Sequence, residues 1–395
     1  MKVTRREALL TGSAAAVSAF AHPNLHAQPE QAGAAPGSPG NVAECFSVSD
    51  FETVARERME RMAWEYISGA AADEITLRWN REAYDRIRIM PRVLHDVSTI
   101  DTRVSVAGVD LPFPLILAPA SLQKLAHPDG EIATARGAAK AGCPMVLSTL
   151  SSVELEEVAK ATTHPLWFQL YVQSDRGFTE QLIHRAEAAG FRALVVTVDT
   201  PTEGARNRQD RAHFHFPPGI EAANLHGMPS LKSRPTTEHG AFSGLLPNKL
   251  TWKDIEWLQR STSLPVLLKG VLNPEDAAIA ASSGVAGILV SNHGARNLDT
   301  VPATIDALPR VADKVAGRIV VLVDGGVRRG TDILKALAYG ANAVLIGRPI
   351  FYGLSNGGAD GVAAVLSILR REFEMAMALC GRARISEIDR SVLWA

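Results

Sequence analysis

Eight short apolar runs, most of them separated by segments with helical spacing, dominate the pattern of hydrophobic and polar positions. Continuous apolar runs of this length are typical of strands buried on both faces of a parallel sheet. The predicted strands are residues 115–118, 145–148, 166–172, 193–198, 265–269, 287–291, 319–324 and 343–347. Helices between them are predicted at 130–141, 152–161, 178–189, 274–283 and 331–339.

Alternation of strands and helices predicts an α/β fold with parallel strand pairing. Eight such units favour a closed (β/α)8 TIM barrel, and a doubly wound open sheet is the alternative. A helix that starts near Ser49, and a second one over residues 72–84, predict an N-terminal helical extension. Residues 211–250 lack sustained periodicity, and we interpret this long loop after strand four as a lid over the barrel mouth.

The first 27 residues have the pattern of an export signal. A positively charged start containing Arg5 and Arg6 precedes a short stretch of apolar and small residues, and a small-residue cleavage position lies near Ala27. The order of these residues resembles a twin-arginine signal, which predicts export to the periplasm. The predicted organisation is a signal at 1–27, a linker at 28–48 and the barrel domain at 49–395.

Composition narrows the class of protein. The 395 residues carry a net charge of −1, which predicts no nucleic-acid partner because binding to phosphate backbones needs a basic surface. No apolar run approaches the roughly 18 residues that cross a bilayer, so no transmembrane anchor is expected in the mature chain. The three cysteines are far apart in the sequence, which predicts neither a metal site nor a disulfide framework.

Polar side chains stand at the carboxyl ends of seven predicted strands. In a barrel these ends meet at one rim, where enzymes of this architecture place their active sites. His293 can move a proton near neutral pH, and Arg296 can bind a carboxylate through two parallel hydrogen bonds. Asp199 is placed to orient the imidazole, and the ammonium of Lys269 should face an anion or a polar ring, because burying it unpaired is costly.

The last two predicted strands end in a pattern that indicates a phosphate site. Gly325 and Gly326 allow backbone N–H groups to approach an anion, and Arg328 and Arg348 supply positive charge. Barrel enzymes often bind phosphate on these two loops. No glycine-rich fingerprint opens a helix after an early strand, which argues against a nicotinamide-binding domain.

These residues together resemble the FMN-dependent 2-hydroxy acid oxidase and dehydrogenase family, which includes glycolate oxidase, lactate oxidase, flavocytochrome-type lactate dehydrogenase and mandelate dehydrogenase. The resemblance covers roughly residues 49–393 and is most specific in Ser291-Asn292-His293-Gly294-Ala295-Arg296, Thr197-Val198-Asp199-Thr200-Pro201 and Asp324-Gly325-Gly326-Val327-Arg328. It implies a barrel that binds FMN at its C-terminal mouth and assembles as a homo-tetramer. Leu150 stands where glycolate oxidase-like members carry tryptophan, and Ala205 stands where a second arginine is common.

The resemblance also implies roles for individual residues. His293 matches the catalytic base and Asp199 its partner, Tyr171 the tyrosine near the substrate hydroxyl, and Lys269 the lysine beside the flavin. Tyr66, Arg206 and Arg296 match substrate-binding residues. The implied cofactor contacts are Ala118, Ala120, Ser148, Gln169, Thr197, Lys269, Ser291 and Asp324 around the ring and ribityl chain, and Gly326, Arg328, Gly347 and Arg348 around the phosphate.

The expected activity is FMN-dependent oxidation of a small (S)-2-hydroxy acid, of the lactate, glycolate or mandelate class, to the 2-oxo acid. Oxygen, a quinone or a cytochrome would then accept the electrons. Two alternatives stay open at this point. One is a phosphate-binding barrel isomerase or aldolase with Lys269 as its reactive amine, and the other is a flavin-binding protein without catalytic activity.

Overall fold

The eight apolar runs form the strands of one closed parallel barrel in the computed structural model, which describes residues 41–228 and 250–394. A small antiparallel hairpin, β1 (Val104–Val106) and β2 (Val109–Leu111), precedes the barrel. The barrel strands are β3 (Leu115–Leu117), β4 (Met145–Ser148), β5 (Leu166–Leu170), β6 (Leu194–Thr197), β7 (Val266–Lys269), β8 (Gly287–Val290), β9 (Val320–Val323) and β10 (Ala343–Ile346). Because β10 pairs with both β9 and β3, the sheet closes, which confirms the TIM barrel and excludes the open sheet.

Two apolar layers hold the barrel together. One fills its interior with alternate residues of the strands, such as Val146, Trp167 and Leu267, and the hairpin residues Val106 and Leu111 belong to the same cluster. The other layer lies between the strands and the surrounding helices. Side chains alternate between the two faces of a strand, so each barrel strand contributes to both layers.

Helices surround the barrel and extend it at the N-terminus. They are α1 (Val48–Arg58), α2 (Arg61–Ser68), α3 (Ile75–Arg86), α4 (Gly130–Ala141), α5 (Leu155–Lys160), α6 (Arg176–Ala188), α7 (Asn207–Arg211), α8 (Trp252–Ser261), α9 (Pro274–Ser282), α10 (Thr304–Val315), α11 (Gly330–Ala338) and α12 (Arg348–Leu379). None of them is both long and apolar enough to cross a membrane.

The N-terminal extension contains three helices where the sequence predicts two. The first predicted helix is interrupted because Met59 and Glu60 both adopt extended backbone conformations, with ψ of 142° and 144°. The chain therefore changes direction and starts α2, which carries Tyr66. A short 3-10 helix, Val42–Glu44, precedes α1 within the segment that the sequence assigns to the linker.

The long segment after β6 starts with α7 and includes a 3-10 helix, Ala223–Leu225. Asn224 is buried there and donates a hydrogen bond to the Ser151 hydroxyl while accepting one from Leu155 N–H. This contact attaches the first part of the segment to the loop after β4. Residues 229–249, which would form most of the predicted lid, and residues 1–40, which contain the predicted signal, lie outside the described residues.

Asp299 fixes the extension to the barrel rim by capping α3. Its carboxylate accepts hydrogen bonds from Asp73 N (3.1 Å), Ile75 N (3.2 Å) and Thr76 N (2.8 Å). Burial alone would raise the pKa of Asp299, but the backbone hydrogen bonds outweigh it and lower the pKa.

Asp299→Ala is expected to lower the free energy of unfolding by about 2–3 kcal/mol, since several charge-assisted capping bonds are lost. Because the pKa is depressed in the folded state, this contribution is present above the unfolded pKa of about 3.9 and declines as the pH falls through the folded pKa. Urea denaturation at pH 7 and at pH 3 measures both effects. Asp313→Ala, which removes an exposed ion pair with Arg390, should cost under about 1 kcal/mol. Equal losses in the two variants would contradict the capping role.

Candidate active site

The floor of the site is the last layer of the barrel interior. Each of its members lies two residues after an interior apolar residue, and a spacing of two returns a strand to the same face. Ser148 follows Val146, and Lys269 follows Leu267, by this spacing. The full layer comprises Ala118, Ser148, Gln169, Thr197, Lys269, Ser291, Asp324 and Gly347. The polar residues predicted at the strand ends are therefore brought together at one rim.

A cavity with about 910 Å³ of empty space, part of it open to solvent, lies above this layer. Fifteen of the eighteen predicted site residues line it: Tyr66, Ala118, Ala120, Ser148, Gln169, Tyr171, Thr197, Lys269, His293, Arg296, Asp324, Gly326, Arg328, Gly347 and Arg348. The other three contact lining residues from behind: Arg206 and Ser291 are buried, and Asp199 is largely buried.

His293 and Asp199 form a hydrogen-bonded pair beside the cavity. His293 follows β8 in a left-handed conformation with φ of 59°, and its Nδ1 lies 2.9 Å from Asp199 Oδ1. Nδ1 beside a carboxylate carries the proton, so Nε2 has the free lone pair. Nε2 lies 3.3 Å from the Tyr171 hydroxyl. Gly270, with φ of 113°, allows this packing because a Cβ there would overlap the side chain of Asp199.

Thr200 and Asn297 support the pair, although no role was predicted for either of them. The Thr200 hydroxyl donates to Asp199 Oδ1 at 2.9 Å, and Asn297 Nδ2 donates to the Thr200 oxygen at the same distance. Both residues directly follow predicted site residues in the chain, which is the one signal that could have indicated them. Their bonds hold the Asp199 carboxylate in the orientation that His293 needs.

Burial and charge set the protonation states of this pair. Burial, together with the positive charge of Lys269, lowers the pKa of His293 to about 4, although Asp199 acts in the opposite direction. Burial alone would raise the pKa of Asp199, but His293 and Lys269 outweigh it and hold that pKa at about 2. At neutral pH the site thus contains a neutral imidazole beside a carboxylate. A neutral imidazole can accept a proton.

Lys269 belongs to a buried polar chain on the barrel floor. Its Nζ donates to Ser291 Oγ at 3.2 Å, Ser291 donates to Asp324 Oδ2 at 2.9 Å, and Nζ lies 3.8 Å from the same carboxylate oxygen. Asp324 Oδ1 is also buried but has no hydrogen-bond partner among the described residues. On the wall of a cavity, a buried acceptor without a partner is available to a donor from a bound molecule.

Gln169 occupies the neighbouring part of the floor. Its Nε2 donates to Thr197 Oγ1 at 2.9 Å, and its Oε1 accepts from Ser148 Oγ at 3.1 Å. Ser121, which also lines the cavity but was not predicted, lies 3.4 Å from Ser148 Oγ. These contacts orient the amide and the hydroxyls at the cavity floor, where they can contact a polar ring or sugar alcohol.

Arg296 lies at the side of the cavity next to Tyr66. Its Nη1 donates to Tyr66 O at 2.6 Å and to Gly69 O at 3.0 Å, and its guanidinium carbon lies 4.9 Å from the centre of the Tyr66 ring. That ring stacks on Phe214, with centroids 4.3 Å apart. Burial and then the nearby charge of Arg206 lower the pKa of Arg296 to about 9, so it stays positive at neutral pH. A fixed, buried guanidinium beside a cavity is suited to a carboxylate ligand.

A neighbouring part of the cavity has the features of an anion site. Arg348 begins α12, and its guanidinium donates to Ile67 O, Gly69 O and Gly294 O. A helix start presents N–H groups without intrahelical partners and favours negative charge. Gly326 has φ of 83°, and a Cβ there would overlap the Asn80 carbonyl, so its backbone can approach only as glycine. These features agree with the predicted phosphate cradle.

Arg206 and Leu150 do not line the cavity, although the family resemblance places both positions at the substrate site. Arg206 lies behind the cavity wall, where its Nε donates to Arg296 O at 3.4 Å and its Nη1 lies 3.2 Å from Glu203. Leu150 is buried and lies outside the cavity wall. Phe351 lines the cavity without having been predicted, because it lies inside α12 rather than at a strand end.

Comparison with known proteins agrees with this geometry. The model of the FMN-dependent dehydrogenase family matches residues 55–395. Glycolate oxidase 1 of Oryza sativa subsp. indica is 46% identical over 356 residues, which cover 89% of this chain and 96% of the oxidase. L-lactate oxidase of Nostoc sp. is 48% identical over 360 residues, with coverage of 89% and 99%.

Solved structures give the same result. A mandelate oxidase crystallised with (S)-4-hydroxymandelic acid has a TM-score of 0.83 and 38% identity, and the match covers 89% of this chain and 98% of that one. The resemblance stated from sequence motifs is therefore confirmed. This chain belongs to the FMN-dependent dehydrogenase family and is an FMN-dependent oxidoreductase of its 2-hydroxy acid oxidase group.

Proposed function

We propose that this enzyme oxidises a small (S)-2-hydroxy monocarboxylic acid, of the lactate, glycolate or mandelate class, to the 2-oxo acid. The observation that carries the proposal is the position of a neutral His293, with Nε2 unprotonated, and a charged Arg296 on the wall of one cavity. A 2-hydroxy acid presents a carboxylate and an adjacent CH–OH group, which are the partners that these two side chains require.

The residues present fit FMN. The unpartnered Asp324 Oδ1 can accept from a ribityl hydroxyl, and Gln169, Ser148 and Thr197 offer amide and hydroxyl contacts on the same floor. Lys269 supplies a positive charge beside them. Gly326, Arg328, Gly347 and Arg348 would hold the phosphate, and Ala118, Ala120 and Ser291 complete the ring side. When bound, FMN supplies the two-electron acceptor.

The protein's own residues then have separate tasks. Arg296 and Tyr66 bind the substrate carboxylate. His293 Nε2 accepts a proton from the substrate, and Asp199 stabilises the imidazolium that forms. Burial raises the pKa of Tyr171, so its hydroxyl stays protonated and can donate to the substrate oxygen.

Anaerobic mixing of the FMN-loaded enzyme with glycolate, L-lactate and (S)-mandelate tests the proposal. At least one of them should bleach the flavin absorbance and yield the 2-oxo acid in equal amount. A flavin that stays oxidised with every member of the panel would refute the activity and favour a flavin-binding role without catalysis. A reactive-amine mechanism is disfavoured because Lys269 is paired with Asp324 in a buried network.

The pH dependence of flavin reduction should report the pKa of His293. Because that pKa is lowered to about 4, the ratio of reduction rate to substrate dissociation constant should decline only below about pH 5, rather than near the usual 6.5. Lys269→Met removes a charge that lowers this pKa. In that variant the decline of the ratio at acidic pH, its acid limb, should therefore start at a higher pH. Lys335→Met, which removes a buried lysine bound to Tyr84 O outside the cavity, is the control. An acid limb at the same pH in Lys269→Met and wild type would contradict the assignment.

We further propose that the electrons pass from FMN to oxygen, a quinone or a cytochrome. The two relatives compared above are a glycolate oxidase and an L-lactate oxidase, which supports oxygen as the first candidate. Stopped-flow reoxidation of the reduced enzyme by air-saturated buffer and by a soluble quinone would rank the acceptors.

We also propose that the enzyme is a homo-tetramer, on the basis of the family resemblance. Light scattering of the holoenzyme as it elutes from a size-exclusion column measures its mass and so the number of subunits.

Export to the periplasm is proposed on the basis of Arg5 and Arg6 before the apolar stretch. Twin-arginine export carries folded proteins, which suits an enzyme that acquires FMN before transport. Cell fractionation should find the mature enzyme in the periplasm, and an Arg5→Lys/Arg6→Lys variant should stay inside the cell. Periplasmic recovery of that variant in wild-type amounts would refute the proposed route.

A further inference from the structure

Behind Arg296 lies a buried ion pair that the proposed chemistry does not use. Glu203 Oε1 and Arg206 Nη1 are 3.2 Å apart, and the two side chains are only 4% and 10% exposed. Burying two charges is costly, so such a pair needs a reason beyond stability. The pair is also held close to the site, because Gly204 between them packs so tightly that a Cβ would overlap the carbonyl oxygens of Arg296 and Asn297.

The charge of Arg206 reaches the substrate end of the cavity. After burial, Arg206 is the largest influence that lowers the pKa of Arg296, and it also lowers the pKa of His293. Glu203 acts on Arg296 in the opposite direction. Glu203 therefore offsets a second positive charge that would otherwise add to that of Arg296.

Arg206 has a carboxylate partner, and Arg296 has none among the described residues. Arg206 is paired with a carboxylate and lies behind the wall, whereas Arg296 lies on the wall. Among the described residues, Arg296 contacts two carbonyl oxygens and the Tyr66 ring, none of which carries a full negative charge. With Arg348 assigned to the phosphate, Arg296 is thus the arginine whose charge is available to the substrate carboxylate.

We infer that Glu203 determines the charge of the substrate: by neutralising Arg206, it makes the site select 2-hydroxy acids with one carboxylate over those with two. The inference rests on the proposed function and makes its substrate class narrower. A dicarboxylic 2-hydroxy acid such as malate would bring a second negative charge into a partly buried site. The other cation next to Arg296, Arg348, is assigned to the FMN phosphate and would not receive that charge. Unbalanced charge in such a site is costly.

Glu203→Gln tests the inference, because it keeps the shape of the side chain and removes its charge. Anaerobic stopped-flow mixing gives the limiting rate of flavin reduction and the substrate dissociation constant for L-lactate and for L-malate. The ratio of rate to dissociation constant for malate, divided by that for lactate, should rise about tenfold or more, mainly through tighter malate binding. Glu156→Gln, which removes the carboxylate from the Arg185 ion pair on the outer helices, should leave the quotient unchanged.

A double variant separates charge balance from direct repulsion by Glu203. In Glu203→Gln/Arg206→Leu no released arginine remains, so the gain for malate should disappear. A gain that persists in the double variant, or an unchanged quotient in Glu203→Gln, would overturn the inference. If Glu203→Gln does not retain FMN, Glu203→Ser removes the same charge. The quotient of this variant, alone and combined with Arg206→Leu, then tests the inference in the same way. Wild-type enzyme whose flavin no 2-hydroxy acid reduces would instead refute the proposed function itself.

Discussion

His293→Ala is expected to retain FMN but to reduce it about 10²–10⁴-fold more slowly with a 2-hydroxy acid, the usual contribution of a positioned base. The loss should fall on the limiting rate in anaerobic stopped-flow experiments rather than on the substrate dissociation constant, since Arg296 and Tyr66 remain. The expected magnitude follows from the geometry, because Nε2 is unprotonated, lies 3.3 Å from the Tyr171 hydroxyl and belongs to an imidazole that is neutral at pH 7.

Two controls sharpen this prediction. His226→Ala removes a half-exposed histidine that lies 2.8 Å from Glu221 on the surface, and its flavin reduction should match that of wild type. Added imidazole should restore part of the rate to His293→Ala, because a small base can enter the space left by the side chain. Near-native reduction by His293→Ala would contradict the assignment of the base.

Arg296→Met is expected to weaken substrate binding about 10²–10³-fold. The variant removes two charge-assisted hydrogen bonds to the carboxylate, each worth about 1.5–3 kcal/mol when counted singly, and leaves that carboxylate unpaired. The dissociation constant from the substrate dependence of flavin reduction measures the loss. Arg296→Lys should recover only part of the affinity, because an ammonium keeps the charge but cannot form the two parallel bonds.

The matched control is Arg176→Met. Arg176 also lies over an aromatic ring, with its guanidinium carbon 4.7 Å from the centre of Trp257, but it stands on the outer surface in an ion pair with Asp254. Its loss should leave the substrate dissociation constant unchanged. Equal affinities in Arg296→Met and wild type would show that another residue binds the carboxylate.

The barrel and its floor could be predicted because both follow from a single periodicity. Apolar runs identified every barrel strand, and the polar residue two positions after each interior side chain had to share its face. Lys269, Ser291 and Asp324 belong together for this reason, although they are far apart in the chain.

Other elements could not be predicted from local pattern. The break between α1 and α2 lies at Met59 and Glu60, where neither proline nor glycine marks it. In α12, Gly357 and Gly358 depart from helical geometry, so a 32-residue element has no continuous helical signal. The placement of Arg206 behind the wall depends on Glu203 and on the tight packing of Gly204, which are tertiary contacts.

One carbonyl oxygen accepts hydrogen bonds from two arginines of the cavity wall. Gly69 O, at the end of α2, accepts from Arg296 Nη1 at 3.0 Å and from Arg348 Nη2 at 2.8 Å. The two arginines, one assigned to substrate and one to phosphate, therefore share an anchor outside the barrel. Cutting the chain before α3 would leave every strand intact and yet remove this anchor from both, so the helical extension is an integral component of the catalytic unit rather than a detachable appendage.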